Sequence, residues 1–134
     1  MEIKLGGTIK KFCQVRFTGG KHTNLDLMTK HDIEDLIAIS QTTLIDYVAV
    51  PFITKQDDVT KVREKLGDAG KAVKIMAKVD NLDAVTNFES IIKSADGSIF
   101  VRNELQWELQ AEKLNIAQKW CIEHSNFSSK PIML

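Results

Sequence analysis

The sequence predicts an α/β protein built on a parallel sheet, and three observations carry that reading. Apolar runs of strand length alternate with amphipathic stretches of helix length, and the alternation recurs at roughly 25 residues. The first apolar run also lacks the one-in-two polar pattern of a sheet that faces water. Together these are the marks of βαβ units, in which each strand is covered by the helix that follows it. The chain has 134 residues, 43% of them hydrophobic and 27% charged, which suits one domain with a buried core.

The elements follow in order. Between Gly6-Gly7 and Gly19-Gly20, residues Thr8–Phe17 alternate imperfectly and predict one or two short strands, so residues 1–28 read as a short β segment. Thr29-Lys30-His31-Asp32 is a helix start, with Ile33, Leu36, Ile37 and Ile39 as the apolar face of a helix of about 11 residues. Asp46–Ile53 predicts a strand buried on both faces. In the next helix Asp57 and Asp58 occupy the first turn, Val59, Val62 and Leu66 form the buried stripe, and Gly67 or Gly70 ends it.

The cycle then repeats. Strand Val73–Val79 leads to a single helix, Ala84–Lys93, lined by Val85, Phe88, Ile91 and Ile92. Strand Gly97–Val101 leads to helix Ala111–His124, lined by Leu114, Ala117 and Cys121. Lys130-Pro131-Ile132-Met133-Leu134 reads as the opening of a further strand, cut short by the chain end.

Composition narrows the function. Eighteen Lys and Arg balance eighteen Asp and Glu, so no positive field exists to drive binding to nucleic acid or to an anionic membrane. No apolar run approaches the ~20 residues of a spanning helix, and the opening Met1-Glu2-Ile3-Lys4 is unlike a secretory signal, so a cytoplasmic protein is expected. Cys13 and Cys121 are far apart, as are His22, His31 and His124. A zinc site is therefore not expected, and the cysteines read as inert packed thiols.

In parallel α/β folds, functional groups project from the carboxyl ends of the strands. Those ends carry Lys78 and Asp80, then Arg102, Asn103 and Glu104. Two carboxylates on consecutive strand ends beside a lysine can hold Mg²⁺ and leave its other positions to water and an oxyanion. The same spacing is equally that of ordinary structure, with Asp80 capping a helix, Glu104 starting a loop and Lys78 snorkelling at a strand end.

A resemblance bears on this choice. Val73-Lys74-Ile75-Met76-Ala77-Lys78-Val79-Asp80-Asn81-Leu82-Asp83-Ala84-Val85 resembles the active-site signature of pyruvate kinase, an apolar strand ending in Lys-Ile-Glu-Asn, with Asp80 in place of the glutamate. The likeness extends through Lys30-His31-Asp32-Ile33-Glu34-Asp35-Leu36, Asp57–Gly67, Ala95-Asp96-Gly97, Ala111-Glu112-Lys113 and Ala117-Gln118-Lys119, covering about Thr29 to Pro131. It implies a partial (β/α)8 barrel of roughly four parallel strands at residues 29–134, preceded by the end of the lid domain at residues 1–28. It also implies phosphoryl transfer from phosphoenolpyruvate to ADP, giving pyruvate and ATP. Lys78 would stabilise charge on the phosphoryl group and enolate, Asp80 and Glu104 would bind Mg²⁺, and Arg102 and Asn103 would face the substrate.

The departures from the family pattern point the other way. Its Arg-Gly-Asp-Leu-Gly is here Arg102-Asn103-Glu104-Leu105-Gln106, so side chains stand where backbone would approach substrate. Both metal-binding carboxylates exchange length, and Mg²⁺ demands near-ideal octahedral geometry. Gln14–Gly20 lacks the family's lysine, Pro51 and Thr54 replace a serine and an arginine, and the substrate arginine and K⁺ ligands precede the start of this chain. The expectation is a chain with little or no kinase activity. The alternative is a non-catalytic partner that joins a full-length homologue or another protein through an incomplete sheet. A lyase of the related enolpyruvate-type barrels fits the surroundings of Lys78 less well.

Overall fold

The computed structural model describes residues 6–8, 10–11, 26–42, 44–68 and 70–134. The strands expected within Thr8–Phe17, and most of the segment 1–28, lie outside the described residues. Helix α1 (Lys30–Ser40) begins as its sequence requires: Thr29 Oγ1 accepts from Asp32 N at 3.2 Å, and Asp32 Oδ2 accepts from Thr29 N at 2.6 Å. This reciprocal pair satisfies two amide donors that a helix start leaves open.

Four strands follow, β1 (Tyr47–Val50), β2 (Lys74–Val79), β3 (Gly97–Phe100) and β4 (Ile132–Met133). Their order in the sheet is β1-β2-β3-β4, every pair is parallel, and each strand neighbours the next one in the chain. Helices α2 (Gln56–Leu66), α3 (Leu82–Thr86), α4 (Phe88–Ser94), α5 (Arg102–Leu105) and α6 (Ala111–Phe127) fill the crossovers. Because α1 touches α2, α2 touches α4 and α4 touches α6, the long helices form one layer over one face. Strand order that never reverses, with helices in a single layer, is an arc of a barrel rather than a doubly wound sheet.

The pleat decides which residues each face receives. Val48 and Val50 align with Ile75 and Ala77, and Ala77 and Val79 with Ser98 and Phe100. Alternate residues of a strand share a face, so these point together at the helices. With Val59, Val62, Leu66, Phe88, Ile91, Ile92, Leu114 and Cys121 they form the core, to which Ser98 adds a buried hydroxyl beside that of Ser125. The opposite, concave face carries Tyr47, Ala49, Met76, Lys78, Gly97, Ile99 and Met133. At Gly97 an added Cβ would lie 2.7 Å from Met76 Sδ and 2.9 Å from the Pro131 carbonyl oxygen, so the strands leave no room for a side chain there.

Several expectations need correction. β1 is not buried on both faces: only Val50 is fully buried, and Tyr47 is 63% exposed, because β1 is an edge strand of the described sheet. In α1 only Leu36 is buried, with Ile33 and Ile39 half-buried and Ile37 exposed, since the helix leans chiefly on α2. The helix expected at Ala84–Lys93 is two helices. Asn87 breaks it with φ −98° and ψ 11°, and its side-chain amide donates to the Thr54 carbonyl at 2.8 Å. The short α5 was not legible as a helix, and α6 runs three residues past its expected end at His124.

At the amino ends of the strands, Asp96 ties the layers together. Its Oδ2 accepts from Arg63 Nη2 of α2 at 2.6 Å and from the Ile75 amide at 2.9 Å, and Lys74 lies 3.9 Å from Oδ1. Partial burial pushes the Asp96 carboxyl up, but the Arg63 and Ile75 hydrogen bonds and the charges of Arg63 and Lys74 outweigh it and hold the pKa below the usual value. Lys130 closes the end of α4, donating to the carbonyls of Ile92 and Lys93 at 2.7 Å each.

Candidate functional site

The carboxyl ends of β2 and β3 bring Lys78, Asp80 and Glu104 to one rim. Lys78 is the last residue of β2 on the concave face, and its Nζ lies 3.8 Å from Glu104 Oε1. Glu104 is delivered by α5, which starts immediately after β3 and turns the chain back over the strand end. Asp80 follows β2 by one residue, is 2% exposed, and lies within electrostatic reach of both Lys78 and Glu104.

Asp80 is held tightly. Its Oδ2 accepts from the Phe52 amide at 3.1 Å and its Oδ1 from the Asn81 side-chain amide at 2.9 Å. Burial raises its pKa above the ordinary carboxylate value, which the Phe52 and Asn81 hydrogen bonds and the Lys78 charge oppose, while Glu104 adds to the rise. The capping role considered for Asp80 belongs to its neighbour. Asn81 Oδ1 accepts from Ala84 N at 2.8 Å at the start of α3, and its Nδ2 also donates to the Ile53 carbonyl at 3.1 Å. Glu104 likewise starts no loop, since it lies within α5.

Arg102 and Asn103 are not joined to this trio. Arg102 Nη1 donates to Asn115 Oδ1 and Gln118 Oε1 of α6, both at 2.8 Å, and the Asn103 carbonyl accepts from Gln106 Nε2 at 3.0 Å. Both side chains are exposed. Sequence reasoning missed Phe52, Asn81 and Glu108, whose Oε2 accepts from the Leu82 amide at 2.7 Å. The sequence does carry a signal for Asn81, since Asn followed three residues later by the start of an apolar run is a common helix start. Nothing local in the sequence marks Phe52, because its partner lies 28 residues away.

The donor set suits a hard divalent cation. Two carboxylates converge beside a lysine, and each ionised carboxylate has about four acceptor positions, so Asp80 keeps capacity beyond its two hydrogen bonds. Among the described residues no cluster of three or more His, Cys, Asp or Glu could hold a metal, so an ion here would take its remaining ligands from water or substrate oxygens. Cys121 contributes no chemistry: it is fully buried, and burial pushes its thiol up to about 12.

A parallel barrel arc with a lysine and two carboxylates on its carboxyl rim defines the class: an α/β chain of barrel type with a charged strand-end site. Residues 1–134 match the family described as "Pyruvate kinase, barrel domain". The chain belongs to the pyruvate kinase family. It is 36% identical to "Pyruvate kinase" of Dictyostelium discoideum over 85% of its length, and 32% identical to "Pyruvate kinase, cytosolic isozyme" of Glycine max over 95%. It is 31% identical to "Pyruvate kinase PKLR" of Homo sapiens over 98%. The matched regions make up 22%, 27% and 23% of those relatives, so the chain spans about a quarter of their length. No helix among the described residues is long and apolar enough to cross a membrane.

Proposed function

We propose that this chain carries the core of a phosphoenolpyruvate-to-ADP phosphotransfer site but turns over little or no substrate by itself. The observation that carries the reading is the convergence of Lys78, Asp80 and Glu104 on one rim. In this reading residues 29–134 are the barrel portion and residues 1–28 the end of a lid domain. The Lys78 ammonium is the group that would face developing charge on a phosphoryl or enolate oxygen, and Asp80 and Glu104 would hold Mg²⁺, which when bound supplies charge neutralisation to those oxygens. Such reactions depend on positioned charge, and removing one contact costs about 10²–10³ in rate. Here Arg102 is committed to α6, and Asn103 stands where the family has a glycine.

Family membership supports phosphoenolpyruvate, pyruvate, ADP and ATP as the ligands and the cytoplasm as the compartment. The test is a coupled pyruvate-release assay on the purified 134-residue chain with Mg²⁺ and K⁺, expected to give no turnover above background. Robust turnover would overturn the inactive reading. A second reading, association with a full-length homologue, is favoured by the exposed Tyr47 and Met133 on the two outer strands of the sheet. Co-purification of a tagged chain with full-length pyruvate kinase would support it.

A further inference from the structure

Phe52 has φ +57°, in the left-handed region that bulky side chains rarely adopt. The residue is also 63% exposed, so packing of its side chain does not explain the conformation. What fixes the residue is its backbone. The Phe52 amide donates to Asp80 Oδ2, a buried carboxylate 28 residues away on the next strand's end. The rest of the loop is fastened on both sides: Asn81 binds the Ile53 carbonyl, Asn87 binds the Thr54 carbonyl, and Asp58 Oδ2 takes the Thr54 amide and hydroxyl and the Lys55 amide.

The structure assigns Asp80 a second role: we infer that it is the positioning residue that holds Phe52 in its left-handed conformation, and that a divalent cation at the rim competes with Phe52 for the same carboxylate. Both Asp80 oxygens already accept a hydrogen bond, Oδ2 from the Phe52 amide and Oδ1 from the Asn81 side chain, so a cation on this carboxylate draws charge away from the acceptor that the loop depends on. Binding of the ion therefore weakens the Phe52 hydrogen bond, and the strained residue relaxes once that bond is lost. The loop then reports on the ion, so occupancy of the rim and the shape of the β1–α2 loop are one equilibrium. The coupling half of this inference rests on the cation site proposed above, and the positioning half does not.

The experiment uses the ¹⁵N-labelled full chain and follows amide hydrogen exchange, with Mg²⁺ and paramagnetic Mn²⁺ as the probes. Asp80→Ala should lower protection of the Phe52 amide about tenfold, the loss expected for a hydrogen bond to a charged group. In a Phe52→Gly background, where the conformation costs little, no strain is released when the bond is lost, so Asp80→Ala should lower Tm by more than in wild type. That comparison also covers poor folding of Asp80→Ala alone. Mn²⁺ broadening at Glu104 and Asp80 reports ion binding directly, and saturating Mg²⁺ should deprotect Phe52 while leaving the Ala84 amide, held by Asn81, unchanged. Phe52 protection that survives Asp80→Ala overturns the positioning role. Ion binding that leaves Phe52 unmoved overturns the coupling alone, whereas no ion binding at all overturns both the coupling and the cation site proposed above.

Discussion

Glu104 Oε1 lies 3.8 Å from the Lys78 ammonium, with only 25% and 19% of the lysine and glutamate side chains exposed, so the rim partly neutralises itself. A lysine paired in this way is less available to a substrate oxygen, and a glutamate paired in this way is less available to a cation. The consequence is an unusual outcome for a signature lysine. Lys78→Met should abolish no turnover, because none is expected, but should raise Mg²⁺ affinity several-fold by removing the competing charge. Calorimetric titration of both proteins reads this, and a Mg²⁺ affinity that falls on substitution contradicts it.

Asp96 predicts a pH dependence. Its folded pKa is held below the unfolded value of about 3.9, so the stability it contributes is present above that pH and is lost as pH falls through the folded value. Asp96→Asn should cost about 1–2 kcal/mol at pH 7, discounted for the partly exposed Arg63, and progressively less as pH falls through the folded value. Urea unfolding of both proteins across that range measures the convergence.

Gly97→Ala should destabilise the chain by about 1–3 kcal/mol. The new methyl group meets Met76 Sδ at 2.7 Å and the Pro131 carbonyl oxygen at 2.9 Å. The thioether can swing away but the carbonyl belongs to the segment leading into β4. Met76→Ala in the same chain should therefore restore little of the lost Tm.

Cys121 should resist alkylation at pH 8 in the native chain and react on unfolding. It is fully buried and its thiol is pushed up to about 12, so almost no thiolate exists to react. Mass mapping of iodoacetamide adducts tests this, and rapid native labelling at Cys121 would contradict the placement of α6.

The alternation of apolar runs and helical stripes made the parallel sheet and its covering helices legible, because burial imposes those periods directly on the sequence, while the barrel arc with helices on one face also needed the family resemblance. Val59, Val62, Leu66, Phe88, Ile91 and Cys121 all face the core as their spacing requires. What failed was set by tertiary position. An apolar strand reads the same whether central or at an edge, so Tyr47 was expected inside. Asn87 interrupts a helical pattern through a bond to Thr54, 33 residues away, which no local window contains. At the rim, charge type was legible from Lys78, Asp80 and Glu104. Direction was not: Arg102 turns to α6 and Asp80 to Phe52 by hydrogen bonds that depend on the assembled fold.

The order of strands in the sheet has a kinetic consequence. Val48 pairs with Ile75, Met76 with Gly97 and Ser98 with Ile132, so each new strand closes a loop of only a few tens of residues onto the strand made just before it. Closure entropy grows only with the logarithm of loop length, and the shortest and longest of these loops differ by about 0.4 kcal/mol. Among the described strands, none has to wait for a distant partner. During synthesis the sheet can lengthen one unit at a time from the ribosome outward, each β/α unit presenting the template for the next.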